Sequence, residues 1–192
     1  QVAAFEIADL RALTSAQLRV LGTAQTAALS LDQLSALTSL QASSLMTSQI
    51  ASLTGEQLAA MGTENLSALT AAQVGAMNST QIAGLSADRI PVLTTAQFAA
   101  LGTSVIRALS NDQVMAMSSK QAAVLTTAQI LALSTSQIPV VETLDLQSLT
   151  TSGTAVLTSL QLSALGAEQI AALTTQQWVA VSTSAMRGLG GT

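Results

Sequence analysis

The chain has no histidine, no cysteine and no tyrosine, and only 16 of its 192 side chains carry a formal charge. These gaps remove most of the groups used for general acid–base and nucleophilic work, so an enzyme is not expected. Without cysteine there is no disulfide framework and no thiolate metal site. Aromatic residues make up 2% of the chain, which leaves Leu, Ile, Val, Met and Ala to build any core. The six basic residues stand singly against ten acidic ones, giving a net charge of −4. That pattern offers no footprint for nucleic acid or an anionic membrane surface. Long apolar runs are also missing: Ser, Thr or Gln interrupts far short of the roughly 18 residues that cross a bilayer, and no membrane insertion is expected. No charged leader follows Gln1, and any targeting segment is expected outside these residues.

What the chain does have is repetition. Sixteen Gln residues from Gln17 to Gln177 lie multiples of eight apart. Framed from Gln1, the sequence reads as 24 octads of the form Gln, large apolar, variable, small, Leu, Ser/Thr, variable, variable. Gln169 to Gln176 (QIAALTTQ) is close to the ideal. The fifth octad position is apolar in all 24 copies, which makes it the expected innermost position. The second is large and apolar in all but Thr26, Ala42, Ala122 and Thr154. The fourth is small, which implies close backbone approach. Trp178, at a second position, is expected in the core.

Local chemistry chooses helix over strand. In Leu173-Thr174-Thr175-Gln176-Gln177-Trp178, Thr174 can accept from the backbone N–H three residues on, while Gln177 reaches back to the N–H of Thr174. This is a capping box, flanked by apolar residues placed as a hydrophobic staple. Charge placement agrees. Asp32, Glu56, Glu64, Asp88, Asp112 and Glu168 fall at the eighth position, in the first turn, and Arg11, Arg19, Arg107 and Arg187 at the third, nearer the helix end.

A cap every eight residues keeps each helix to about one and a half turns. One continuous helix fails, because equivalent Leu residues would rotate by about 80° per octad and spiral around the outside. Two buried side chains per octad do not repay the ordering of eight residues, so stability must come from stacked coils. The expected fold is all-α: one repeat solenoid over residues 1–192, of 24 very short capped helices. A slower rhythm is superimposed. Gly22-Thr23, Gly62-Thr63 and Gly102-Thr103 recur every 40 residues, and Gln is lost at Asn65, Val105, Asp145 and Ala185 at the same spacing. The rhythm leads us to expect a superhelix of about five octads per turn, unless it records only duplication of a 40-residue segment.

Pro91 and Pro139, both at the third octad position, predict local irregularity. Val140 to Gly153 departs furthest from the consensus and reads as a bent segment, with a functional site as the alternative. Glu142 and Asp145 form a close acid pair outside the repeat pattern, expected as a solvated surface pair. Gly188, Gly190 and Gly191 in RGLGGT precede no helix and read as a fraying end or linker, not a phosphate loop. Asn65-Leu66-Ser67 and Asn78-Ser79-Thr80 fit the glycosylation sequon, a pattern common by chance. No catalytic, cofactor-binding or metal-ligating residue is assigned, and no cofactor is expected.

The phrases Leu93-Thr94-Thr95-Ala96-Gln97 and Leu125-Thr126-Thr127-Ala128-Gln129-Ile130 resemble the octapeptide tracts of very large bacterial adhesin-like and secreted surface proteins. The likeness covers nearly the whole chain. It implies an extracellular spacer, stalk or fibre and transfers no binding residue. The opening of each phrase is also similar to the first helix of DNA-reading TAL effector repeats, but those units are longer and carry a second helix. The leading expectation is therefore a structural, extracellular rod, stalk or filament that self-associates end to end. The alternative is a binding module that displays a polar surface to a host ligand, glycan or ice.

Overall fold

The computed structural model describes residues 2–190. Gln1, which opens the octad frame, and Gly191 lie outside the described residues. Among those described, the chain is a succession of α-helices of four to seven residues, with a few 3-10 turns and no strand. It is an all-α helical repeat solenoid. The chain divides into two compact units, residues 1–101 and 102–192.

Most of the helices begin as the capping chemistry requires; those capped by Glu6, Met61, Gly102 and Glu142 do not. At Thr70, the cap before the helix Ala71–Gly75, the side chain accepts from the Gln73 N–H at 3.2 Å and the Thr70 N–H donates to Gln73 Oε1 at 2.6 Å. The same reciprocal pair recurs at Ser30, Thr38, Thr54 and Thr94, and again at Ser110, Thr126 and Thr174. Acids sit in the first turn at Asp32, Glu56, Glu64, Asp112 and Glu168. Arg11, Arg19 and Arg107 sit in the last. Both preferences follow the helix dipole.

In the N-terminal unit the helix Ser39–Ser44 packs on Gly62–Ala68, Thr23–Ala27 on Thr47–Ser52, and Gly55–Ala60 on Ser79–Ala83. In the C-terminal unit Thr103–Ala108 packs on Thr127–Ala132, and Thr151–Ala155 on Thr175–Ala180. Every one of these pairs is three octads apart. The side-chain bonds between coils, described below, reach back 28 to 31 residues. A coil therefore closes in three to four octads, not five. The 40-residue rhythm marks where the chemistry between coils changes, and it does not set the turn.

The interior is also layered differently from the expectation. Second-position side chains from Leu10 to Leu162 are at most 2% exposed, whereas fifth-position residues from Leu29 to Val181 lie between 2% and 8%. The second position is innermost because it follows the buried Gln on the helix itself. The fifth is the extended residue between helices, as at Leu45 (φ −58°, ψ 147°). Trp178 is half-buried. Small fourth positions do bring backbones together: a Cβ on the fourth-position Gly84 would lie 2.9 Å from the Gly55 Cα, and the carbonyl oxygen of the fourth-position Ala100 would lie 2.9 Å from a Cβ on Gly75, itself a third position.

Both prolines stand where the α-helix is replaced. Pro91 follows the 3-10 turn Ala87–Arg89, and Pro139 lies within another, Ile138–Val140. Val140 to Gly153, expected to bend, instead carries the helix Thr143–Ser148 and the start of Thr151–Ala155. Arg187–Gly190 forms a final 3-10 turn.

Candidate functional site, a ladder of buried glutamines

Gln at the third helical position serves two helices at once. Its Oε1 completes the capping box of its own helix. Its Nε2 points into the preceding coil and donates to the carbonyl oxygens that end a helix there. Gln73 Nε2 lies 3.1 Å from the Ala42 carbonyl oxygen and 2.6 Å from that of Leu45. Gln81 reaches Ile50 and Leu53 at 2.9 and 2.7 Å, and Gln97 reaches Leu66 and Leu69 at 2.9 and 2.6 Å. The C-terminal unit repeats the bond: Gln137 to Ile106 and Leu109, Gln161 to Ile130 and Leu133, Gln177 to Leu146 and Leu149.

The geometry answers a general problem of short helices. The last carbonyls of any helix lack an intrahelical partner, and in a helix of five or six residues they are most of the carbonyls present. Leaving one buried and unpaired costs about 1–3 kcal/mol. The Gln amide supplies the missing donor from the next coil, so one side chain caps the start of one helix and the end of another. These Gln residues are 1–9% exposed from Gln33 to Gln177.

Glutamate could not replace them. It satisfies a capping box as well as Gln does, but an ionised carboxylate has no hydrogen to donate and would face carbonyl oxygens. The 16 in-register Gln residues, with Glu at none of the equivalent positions, carry that discrimination in the sequence. Capping alone does not explain it.

The exceptions show the same logic. Asn65 accepts from Ser39 Oγ at 3.2 Å and donates to the Leu37 carbonyl at 2.7 Å. Its side chain is thus engaged inside the fold, sequon notwithstanding. Asn78 is a helix cap, accepting from the Gln81 N–H at 3.0 Å. Thr26, a polar residue at a second position, is fully buried with its hydroxyl on the Gly22 carbonyl at 3.1 Å. Gly153 leaves room for Ile130, whose Cδ1 would lie 2.5 Å from an added Cβ.

The acid pair is not the solvated pair expected from sequence. Glu142 is exposed at the cap of Thr143–Ser148, but Asp145 is 1% exposed. It occupies a Gln position, and the octad pattern carries it inside. Burial pushes its carboxyl above the ordinary range, the Ser119 hydroxyl opposes this, and the charge of Glu142 adds to it. Among the described residues no group of three acidic side chains is placed to hold a metal, and no helix is long and apolar enough to cross a membrane.

No curated protein matches the chain. A family profile for the ALTTAQ repeat matches residues 2–39, 55–87 and 90–127. The family's name spells the rung itself, the cap and the glutamine three residues on, as in Leu93-Thr94-Thr95-Ala96-Gln97. With more than half of its length matched, the chain belongs to the ALTTAQ repeat family.

Proposed function

We propose that this chain is a structural protein of the cell exterior, secreted or surface-attached, serving as a rod, stalk or self-assembling filament and catalysing no reaction. The observation that supports this most is the ladder, which commits the recurring polar side chains to holding coil on coil. Its first rungs have spare bonding capacity. Gln17 and Gln25 are exposed and keep Oε1 on their own caps at 2.8 Å. Their Nε2 atoms meet no acceptor among the described residues. At the other end, the carbonyls of Leu173 and Val181, equivalent to those clamped elsewhere, receive no side-chain donor among the described residues. Val20 and Val179 beside them are 81% and 83% exposed. A further coil would mate these groups, whether it comes from flanking chain or from a second copy joined head to tail, and the assembly reading takes the second copy. Light scattering and electron cryomicroscopy over a concentration series test this: assemblies should lengthen with concentration, and Gln17→Glu with Gln25→Glu should shorten them. A monodisperse monomer at high concentration contradicts the assembly reading.

A second reading, a binding module for a glycan, ice or a host surface, draws on surface hollows. Hollows of about 260, 590 and 510 Å³ lie at Ala24–Ala28, Met61–Asn65 and Thr103–Arg107. These are the octads that open Gly22-Thr23, Gly62-Thr63 and Gly102-Thr103. Glycan arrays and ice-growth habit test it, and no binding with unchanged habit removes it.

A further inference from the structure

Asp145 stands at a rung position of the C-terminal unit, on the helix Thr143–Ser148, which packs against Ser119–Ala122 and Ala167–Ala172. Its Oδ1 accepts from Ser119 Oγ at 2.8 Å. Its Oδ2 is buried with no hydrogen-bond partner. Asn65 answers the same register in the N-terminal unit. There the serine lies 26 residues back, as Ser119 does from Asp145, and the side-chain amide donates to the carbonyl 28 residues back. The residue 28 back from Asp145 is Met117. A carboxylate cannot make Asn65's second bond, because it has no hydrogen to give. The neutral acid can.

We propose that Asp145 is held in the folded chain as the neutral acid, its Oδ2–H donating to the Met117 carbonyl, and that loss of this proton to solvent loosens Thr143–Ser148 from Ser119–Ala122. The C-terminal unit thus contains a pH-responsive latch where the N-terminal unit has a fixed amide. This goes beyond the structural role and does not depend on assembly.

The surroundings support the neutral form. The charged groups on the packed elements are Glu142 at the helix's own cap, Lys120 on Ser119–Ala122 and Glu168 on Ala167–Ala172, all exposed. Thr175–Ala180, whose Gln177 reaches the Leu146 carbonyl, carries no charge. Desolvation, the strongest influence on Asp145, favours the proton. The folded chain then keeps a proton that the unfolded chain releases. The stabilisation is complete below the unfolded carboxyl's range and is lost as pH rises through the raised folded value, by up to about tenfold in the folding constant per pH unit.

Urea unfolding of the wild type, Asp145→Asn and Asn65→Asp between about pH 4.5 and pH 8 tests the latch. The wild-type midpoint should fall as pH rises. Asp145→Asn should flatten that slope and exceed the wild type near the upper pH, while Asn65→Asp should steepen it. A wild-type slope that persists in Asp145→Asn overturns the proposal. A second readout needs no variant to fold: the Asp145 side-chain carbon, followed by NMR, should titrate above the ordinary aspartate range. Titration within or below that range also overturns it.

Discussion

Asn65 and Asp145 sit at the same rung position, 80 residues apart, one in each unit of the chain. Each accepts from a serine 26 residues back. They differ in one functional group, and only the amide completes its second bond at every pH. The comparison teaches that a polar side chain buried at the rung position is called on as a donor, whereas Val105, Gly153 and Ala185 fill the position with no polar group to satisfy. Most rungs meet that requirement with Gln, Asn65 meets it with a shorter amide, and Asp145 meets it only when protonated.

The sharpest test of this requirement substitutes the same residue in two settings. Gln73→Glu keeps an oxygen for its own cap but removes the donor to Ala42 and Leu45 and buries a charge. It should cost more than about 3 kcal/mol in urea unfolding at neutral pH. Gln17→Glu, whose amide clamps no carbonyl among the described residues, should fall within about 0.5 kcal/mol of the wild type. Equal costs at the two sites would mean that capping alone explains the glutamines.

A smaller effect compares tight glycines in the two units. Gly84→Ala forces a Cβ against the backbone of Gly55 and should destabilise by about 1–3 kcal/mol. Gly153→Ala meets the end of the Ile130 side chain, which can rotate away, so calorimetry should show the lesser loss. Smaller again are the caps. Thr70→Ala should cost about 1 kcal/mol. Glu142→Thr should gain up to about 1 kcal/mol, because it offers a hydroxyl to the Asp145 N–H where none is now supplied. That change also removes a neighbouring negative charge, so the Asp145 titration should move down.

Much of this was readable from the residues. The period of eight, the Thr and Gln of the capping box, the acids of the first turn and the small fourth position are all local, spanning at most one octad. They were sufficient for very short helices and a stacked solenoid. The amide bonds between coils span 28 to 31 residues, and no local pattern reports that distance. Of the two readings of the 40-residue rhythm of Gly62, Gly102, Asn65 and Asp145, the coil length therefore fails and duplication of a segment stands. The second bond of the Gln amide left one sequence trace, the exclusion of Glu from rung positions, which a capping box by itself would accept. The charge of Asp145 points to the surface, and its octad position points inside, where the residue lies. The position decides, since the helix carries that residue inward whatever its side chain.

The central claim is that the buried Gln amides bond across coils as well as capping their own helices. Hydrogen exchange of the side-chain amides, resolved by NMR, tests it most directly. The NH2 groups of Gln73, Gln81 and Gln161 should exchange far more slowly than those of Gln17 and Gln25, which lack acceptors among the described residues. Uniformly fast exchange at all five would contradict the ladder and leave only the capping box standing.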